Sequence, residues 1–368
     1  MFVETKTQFP AENDIADAFQ QRMCSIVNTG AQSVMISIGH RSGLFDVMAK
    51  LEPKTSQEIA KSAELDERYV REWLAVMVTA EIVNYDPCTK NYHLPATHAA
   101  SLTRNAELGN IAVHAQFISL MGAMQEHVLG FLESGGGSTY ADYPCFHHIM
   151  AEDSEQSVVN SLFDILLPLI HGMNEQLLSG IDVLDVGCGR GRALIAMAER
   201  YPQSNFVGYD LCADAIAEAG RIASVKNIQN IHFSVKDMAS FNEPEQYDLI
   251  TSFDAIHDQK APQIIITGIN NALKPSGVYL MQDIGGSVNL EENLDFPMAS
   301  LLYSISLTHC TPISIGQGGE GLGTMWGWQT AMRMLKKSGF AGVERHVLPH
   351  DPMNVWFVSR KEVPNALA

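Results

Sequence analysis

The sequence predicts an α/β protein in which a helical N-terminal domain precedes a mostly parallel sheet. From Asp182 onward, short apolar runs alternate with helical stretches, as expected of a parallel sheet covered on both faces. One of these runs, Val183 to Val186, leads directly into a glycine-rich turn. The first hundred residues instead contain several helical patterns followed by a strand, a turn and a strand. A chain of 368 residues is long enough for two such domains.

Composition and charge exclude several classes of partner. Lys and Arg number 24 against 42 Asp and Glu, a formal net charge of −18, which would repel phosphate backbones and anionic lipids. We therefore expect neither a nucleic-acid nor a membrane partner. The six cysteines show no C-x-x-C pair and no metal-ligand spacing, which is typical of reduced thiols in a cytosolic protein. The first residues carry mixed charges rather than a signal peptide pattern, so a cytoplasmic location is expected.

The N-terminal hundred residues are predicted to form a winged helix. Thr55 and Glu58 mark the start of one helix, because the threonine can cap free amides and the glutamate can reach back to its backbone. Three helices plus a hairpin, after a leading helix, make up the winged-helix arrangement. The predicted elements are Asp14–Ile26, Ser33–Leu51, a short helix after Thr55, Asp66–Ala80, and the strands Ile82–Tyr85 and Asn91–Leu94.

A winged helix commonly reads DNA, and its recognition helix must then supply cations for phosphate contact. In Asp66–Ala80 the two bases, Arg68 and Arg71, are offset by three acidic residues. We therefore expect a packing or dimerisation role for this domain, with DNA binding as the alternative. The apolar stripes on the first two predicted helices favour a homodimer assembled through the N-terminal domain.

A helical connection is predicted between the two domains. It consists of a long helical pattern over Ala106–Leu132, a glycine-rich turn over Ser134–Ser138 and a further helix over Ser154–Leu178. The predicted domains are therefore a winged-helix or dimerisation domain over residues 1–105, the connection and pocket lid over residues 106–178, and the sheet domain over residues 179–368.

The sheet domain is predicted from alternating strand and helix patterns. The last two strands are joined by a short loop, and such a hairpin would give the sheet an antiparallel edge. The predicted strands are Val183–Val186, Asn205–Tyr209, Ile231–Val235, Leu249–Ser252, Gly277–Gln282, Gly342–Pro349 and Asn354–Arg360. The predicted helices between them are Ala193–Tyr201, Ala213–Ser224, Ala261–Leu273 and Trp328–Ser338.

The strongest functional motif is the turn that follows the first of these strands. Its glycines, including Gly187 and Gly189, would let a ligand lie against the backbone where a side chain would collide. A nicotinamide site fits poorly, because Arg192 stands where G-x-G-x-x-G needs its third glycine. Asp185, a carboxylate at the strand end, favours a cationic ligand over a pyrophosphate. The alternative is a turn that only joins strand to helix.

The next two strands also end in residues of a ligand-binding type. Asp210 closes the second strand, where a carboxylate can accept hydrogen bonds from both hydroxyls of a ribose. Asp237 and Met238 follow the third strand and could bind the amino group and cover the ring of an adenine. Three such strand ends at one sheet edge indicate a nucleoside-type cofactor.

With these motifs, residues 180–361 resemble the class I S-adenosylmethionine-dependent methyltransferases. The resemblance rests on D-x-G-x-G-x-G at Asp185–Gly191 and on the acidic residues after the second and third strands. It implies a Rossmann-like seven-stranded methyltransferase sheet with S-adenosyl-L-methionine as cofactor. It places Asp185 and the turn amides at the methionine part, Asp210 at the ribose, and Asp237 with Met238 at the adenine. The cofactor-binding residues so implied are Asp185, Gly187, Cys188, Gly189, Asp210, Leu211, Asp237, Met238 and Phe253.

The segment Thr251–Gln259 resembles the small-molecule O-methyltransferases of plants and bacteria, which have an N-terminal winged-helix dimerisation domain and a His-Asp pair. By that resemblance His257 is the general base. The family usually has Trp after His-Asp, where this chain has Gln259. The sequence of this segment is more similar still to that of a bacterial and animal methyltransferase group with the same two-domain plan. The identity of the methyl acceptor is therefore not inferred from the resemblance.

Physical chemistry supports a base at this position. A methyl group on a sulfonium is already activated, so catalysis needs mainly alignment of the acceptor and removal of its proton. A histidine with a pKa of about 6.5 suits that task. Alternatively, His257 only hydrogen-bonds its own loop. Asp258 could orient the imidazole, but we expect it to cap the following helix.

The acceptor pocket is expected from apolar segments that carry scattered polar side chains. The neighbouring pair His147 and His148 could indicate a metal, but consecutive residues rarely face one ion, and no metal site is predicted. The candidate pocket residues are His114, Phe117, Met121, Tyr140, Phe146, His147, Met298, Tyr303 and Trp326.

The sequence therefore predicts an enzyme that transfers a methyl group from S-adenosylmethionine to a small hydroxyl, thiol or amine acceptor. The identity of the acceptor does not follow from these residues. The alternative is a transcriptional regulator whose methyltransferase half senses the cofactor and whose winged helix binds DNA. A protein methyltransferase is disfavoured because the N-terminal domain would enclose the acceptor.

Overall fold

The computed structural model describes residues 12–106 and 109–361, without the side chains of residues 12–14. The chain divides into two compact units, Met1–Ser119 and Leu120–Ala368. In the described ranges, no helix is both long and apolar enough to cross a lipid bilayer.

The described part of the first unit contains one long helix where two shorter ones are predicted. The helix α1 runs without a break over Glu12–Arg41, because the single Gly30 costs only about 1 kcal/mol inside a helix. The break comes instead at Gly43, whose φ of +76° suits glycine, and the short α2 follows at Leu44–Met48. The two predicted helix bounds at Ile26 and Ser33 are therefore wrong.

The remainder of the first unit matches the predicted winged helix. The capping box is confirmed: Thr55 accepts a hydrogen bond from the Glu58 amide, and the Glu58 carboxylate accepts one from the Thr55 amide. The apolar side of the recognition-type helix packs in a core with Phe45 and Ile59. The elements are α3 (Ser56–Ala63), α4 (Glu67–Thr79), the antiparallel pair β1 (Asn84–Asp86) and β2 (Asn91–His93), and α5 (Ala96–Ala99).

Shorter helices replace the two long ones predicted for the connection. The helix predicted over Ser154–Leu178 is wrong: Pro168 cannot sit in a helix interior, and Gly172 has a φ of +76°. Short helical turns occupy this stretch instead. The helices are α6 (Ala112–Ala123), α7 (Gln125–Ser134), α8 (Phe146–Ser157) and α9 (Met173–Ser179).

Among the described residues of the second unit, seven strands form one sheet, as predicted. Its bounds are β3 (Asp182–Val186), β4 (Asn205–Asp210), β5 (Ile231–Val235), β6 (Tyr247–Phe253), β7 (Leu273–Ile284), β8 (Phe340–Leu348) and β9 (Asp351–Lys361). Their order across the sheet is β5-β4-β3-β6-β7-β9-β8. The strands pair in parallel from β5 to β7, and β9 pairs antiparallel with both β7 and β8.

This strand order creates a switch point. From β3 the chain goes first to β4 and β5 on one side, and later to β6 and β7 on the other. The carboxyl ends of β3 and β6 therefore flank the crevice in which open α/β sheets bind their ligands.

Helices cover both faces of the sheet. Successive residues of a strand point to opposite faces, so Val183 and Leu184 belong to two different apolar clusters. One cluster includes residues of α12 and α15, and the other includes residues of α9 and α10. The remaining helices are α10 (Arg192–Arg200), α11 (Ala213–Val225), α12 (Pro262–Ala272), α13 (Ala299–Ile305), α14 (Thr311–Gly316) and α15 (Trp328–Lys337).

Candidate active site

A cleft opens at the carboxyl ends of β3, β4 and β6, at the switch point of the sheet. Eight of the nine predicted cofactor-binding residues and three predicted acceptor residues line it. These, with the two acidic residues of the loop after β6, are Asp185, Gly187, Cys188, Gly189, Asp210, Leu211, Met238, Phe253, Tyr140, Phe146, His147, Asp254 and Asp258. We call this space the cleft.

The glycine turn between β3 and α10 requires glycine for two different reasons. Gly187, Gly189 and Gly191 all have positive φ angles, of +72°, +52° and +66°. A Cβ on Gly187 would lie 2.5 Å from the Cβ of Ala255, so no side chain fits there. At Gly189 no protein atom lies within 4 Å of such a Cβ. The backbone at Gly189 is thus open to a ligand in the cleft.

Asp185 is a buried carboxylate in this cleft. It is 3% exposed and accepts a hydrogen bond of 2.7 Å from the Thr251 hydroxyl. Burial raises its pKa to about 7, and the nearby charge of Asp210 adds to that shift. A cationic ligand would offset the cost of burying its charge.

Asp210 fixes the turn that surrounds the cleft. Its carboxylate accepts hydrogen bonds of 2.8 Å from the amides of Gly189 and Cys212. An ionised carboxylate has about four lone-pair sites, so acceptor capacity remains for a ligand hydroxyl.

Asp237 differs from the other predicted cofactor residues. Its carboxylate caps the short turn Met238–Ser240 and forms an ion pair with Lys260, which lowers the pKa of Asp237. The next side chain, Met238, is buried and lines the cleft. The structure therefore brings Met238, rather than the Asp237 carboxylate, into the wall of the cleft.

His257 lies behind the cleft wall and is 2% exposed. Its Nδ1 is 2.9 Å from Oδ1 of Asp283, at the end of β7, and its Nε2 is 3.3 Å from Sγ of Cys310. The indole of Trp326 donates to the same Asp283 oxygen at 2.8 Å. Burial alone would lower the pKa of His257, but the Asp283 carboxylate and the Cys310 sulfur together outweigh it and raise the pKa well above its usual value. His257 and Asp283 thus form a hydrogen-bonded dyad.

Asp258 does not cap the next helix, so that expectation is wrong. The helix α12 begins at Pro262, three residues after Gln259, and Ala261 occupies its N-cap position. Asp258 instead lines the cleft, and its Oδ2 accepts a hydrogen bond of 3.1 Å from the Tyr140 hydroxyl. Burial raises the pKa of Asp258 to about 6.

The rings of Tyr140, Phe146 and His147 form an aromatic part of the cleft wall. The rings of Phe146 and His309 stack with their centroids 4.0 Å apart, and Tyr140 lies 5.3 Å from His147 and 6.0 Å from His309. Burial lowers the pKa of His309 to about 3, so this ring is neutral. His309 is not among the predicted site residues, although it lies within the uncharged stretch from Phe296 to Gly319.

The other predicted acceptor residues are dispersed. Trp326 is buried and bonded to Asp283, while Met298 is 46% exposed. The hydroxyl of Tyr303 accepts a hydrogen bond from Asn293. His114 and Phe117 belong to the first unit, and Met121 lies in α6 without lining the cleft.

Family comparisons match both parts of the chain. Residues 30–104 match the Rv2258c-like winged HTH domain, and residues 177–339 match a methyltransferase domain. A ubiquinone biosynthesis O-methyltransferase of Neisseria meningitidis serogroup C (strain 053442) is 32% identical over 111 residues, 29% of this chain and 45% of that protein. The (S)-coclaurine N-methyltransferase of Thalictrum flavum subsp. glaucum is 20% identical over 197 residues, 54% of this chain and 52% of that protein. The chain thus spans about half the length of these two relatives.

Solved structures match over nearly the whole chain. A putative O-methyltransferase from Nostoc punctiforme PCC 73102 is 17% identical with a TM-score of 0.67, covering 96% of this chain and 100% of that one. Human N-acetylserotonin methyltransferase in complex with SAM is 15% identical with a TM-score of 0.67, covering 98% and 100%. At these identities the likeness shows the fold alone. The predicted fold class and the resemblance to methyltransferases with a winged-helix domain are confirmed.

Proposed function

Because this chain joins a winged helix-turn-helix domain to a methyltransferase domain, we propose that it transfers a methyl group from S-adenosylmethionine to a small-molecule hydroxyl, thiol or amine. The observation that carries the proposal is the buried Asp185 carboxylate beside the open Gly189 backbone, at the switch point of the sheet. A cationic cofactor with an ammonium group satisfies the carboxylate. The methionine part of the cofactor can lie against the open backbone at Gly189.

Each part of the cofactor has residues that would hold it. Asp185, Gly187 and Gly189 would hold the methionine part, and Asp210 would accept from the ribose hydroxyls. The adenine would lie against Met238, with Cys188, Leu211 and Phe253 completing the wall. The cofactor supplies an activated methyl group on a sulfonium.

We propose the dyad of His257 and Asp283 as the general base. Asp283 holds Nδ1 of the imidazole, as the carboxylate of a catalytic dyad does, and leaves Nε2 to receive the acceptor proton. At present Nε2 faces the Cys310 thiol, so the acceptor atom must take the place of Sγ. His257 must be neutral to accept a proton. Beside a sulfonium cation its raised pKa would fall, because like charges disfavour the protonated form.

The proposed function is tested with methyl-labelled S-adenosylmethionine and a metabolite extract. We expect the label to enter the small-molecule fraction with the parent chain and not with Asp185→Ala. Label that enters only protein or nucleic acid, or no transfer to any fraction, would contradict the proposal.

The transcriptional-regulator alternative is not favoured by the surface of α4. Arg68 pairs with Glu72, and Arg71 pairs with Glu67 at 3.5 Å, so both bases of this helix are neutralised on its own surface. The helix α4 therefore presents little unbalanced positive charge for contact with a nucleic-acid phosphate backbone. A mobility shift with random duplex DNA at low salt separates the two functions.

Cofactor binding should depend on pH through Asp185. Its pKa of about 7 in the unliganded chain means that, below pH 7, binding of a cation must release the carboxyl proton. We expect affinity for S-adenosylmethionine to fall as pH drops below 7 and to level off above it. Calorimetry at pH 6 in two buffers of different ionisation enthalpy measures the proton release. The release should be smaller in Asp185→Asn, and an unchanged value would contradict this assignment.

We propose that the chain forms a homodimer through α1. Exposed apolar side chains at helical spacing follow one side of this helix, with Ile15, Phe19 and Met23 between 42% and 61% exposed. Light scattering at micromolar concentration should give a dimer, and Phe19→Glu should shift it to monomer. The control is Gln21→Glu, which places the same charge on the opposite side of α1. A monomeric parent chain would contradict the proposal.

A further inference from the structure

Three side chains with metal-ligating atoms converge at the base of the loop after β6. Asp254, His257 and Asp283 each offer one ligand atom, and these three atoms lie within 4.8 Å of one another. Nδ1 of His257 is 2.9 Å from Oδ1 of Asp283 and 3.8 Å from Oδ1 of Asp254. Asp254 lines the cleft, while the other two side chains lie behind it.

Two carboxylate oxygens in this group are left without hydrogen bonds. Asp283 is fully buried, and its Oδ2 has no hydrogen-bond partner among the described residues. The same holds, within the described ranges, for Oδ1 of Asp254. A buried acceptor without a partner destabilises the folded chain, and does so more when it is charged. The unpaired Oδ1 of Asp254, which lies 3.8 Å from Nδ1 of His257, therefore favours a bound cation.

The backbone holds Asp254 in an uncommon conformation. Its φ is +53°, in the left-handed region, and its amide donates a hydrogen bond of 3.1 Å to the carbonyl of Gln282 on β7. Such strain persists where the surrounding structure requires it and is concentrated at functional sites. The result is that two adjacent strand ends, those of β6 and β7, present their carboxylates to one imidazole.

We propose that Asp254, His257 and Asp283 bind one divalent transition-metal ion through Nδ1 and two carboxylate oxygens. Bond lengths of about 2.0–2.2 Å put neighbouring ligand atoms about 3 Å apart, which the Nδ1 to Asp283 distance already matches. A site of one imidazole and two carboxylates suits zinc or manganese better than magnesium, which prefers oxygen ligands. Trp326 donates to Asp283 and so orients it, as outer-shell partners of metal ligands do.

The metal site goes beyond the proposed function, and a bound ion prevents His257 from acting as the general base. The ion takes the position on Nδ1 that now faces Asp283, and the Nδ1 proton leaves to solvent. Nε2 then carries the remaining proton of the ring and cannot accept one from the acceptor. The metal-bound chain and the chain with a free His257 base are therefore two alternative forms.

Binding is tested by calorimetry with Zn²⁺ on the full-length, metal-stripped chain, without cofactor or acceptor. We expect one tight site per chain. Asp254→Asn and His257→Gln should each weaken Zn²⁺ binding. Changes in outer-shell partners typically cost about 10- to 100-fold in metal affinity, and loss of a ligand should cost at least as much. The matched control is Asp248→Asn, which removes a carboxylate from the other end of the same strand and should bind as the parent does. Co²⁺ should give visible absorption in the parent and in the control alone.

Zinc soaking of parent crystals locates the ion without any variant. An anomalous peak among Asp254, His257 and Asp283 is expected. A peak only at other side chains, binding that survives both variants in folded form, or no binding at micromolar concentrations would overturn the proposal. Since no methyl transfer is measured, an absent methyltransferase activity leaves this outcome unaffected.

Discussion

Replacement of His257 by alanine is expected to lower turnover by about 10²- to 10⁴-fold, the usual contribution of a general base. Cofactor affinity should stay nearly unchanged, because the imidazole lies behind the cleft wall and not in it. Steady-state kinetics and calorimetry on the same preparation measure both quantities. The control is His232→Ala. His232 is an exposed histidine on β5, the edge strand of the sheet, and its removal should not alter turnover.

The loss should depend on the acidity of the acceptor. An acceptor that is already ionised at the assay pH, such as an acidic thiol, has no proton to remove, so His257→Ala should cost it much less. Asp283→Asn should also lower turnover, because Asp283 orients the ring through Nδ1. An equal loss for acceptors of different acidity would return His257 to a structural role in its loop.

The parts of the site that could be predicted from sequence are those set by local pattern. The turn from Gly187 to Gly191 follows a buried strand directly, and Asp210 ends the next one, so parallel pairing alone brings them to one edge. The capping box at Thr55 is equally local, since its two partners are three residues apart. Such motifs need no knowledge of how distant segments pack.

The partners of His257 could not be predicted in the same way. Asp283 and Cys310 lie 26 and 53 residues further along the chain and meet the imidazole only after the sheet has formed. Asp283 did leave a weak signal, because it is a carboxylate at the end of a predicted strand. Asp258 shows a related failure: its position before a helix suggests a cap, but the loop runs on to Pro262 and leaves it in the cleft.

The two carboxylates proposed to hold the cofactor should contribute strongly to its affinity. Asp185→Asn and Asp210→Ala should each weaken S-adenosylmethionine binding by roughly 10- to 150-fold, from the about 1.5–3 kcal/mol of a hydrogen bond to a charged group. Asp210→Ala also frees the amides of Gly189 and Cys212, so it should loosen the turn as well. The control is Asp248→Ala. Asp248 lies near the first residue of β6, whereas the cleft lies at the carboxyl end of that strand, so this variant should bind S-adenosylmethionine as tightly as the parent does.

Stability separates loss of binding from loss of fold in Asp185→Asn. The pKa of Asp185 is raised by folding, so the unliganded chain loses stability as pH rises from the unfolded value of about 4 towards 7. Asparagine keeps the side-chain oxygen near Thr251 and carries no charge. Thermal unfolding of Asp185→Asn without cofactor should therefore be unchanged or shifted upward at pH 8, while calorimetry shows weakened binding. A variant that is equally stable and still binds as tightly as the parent would show that Asp185 does not hold the cofactor.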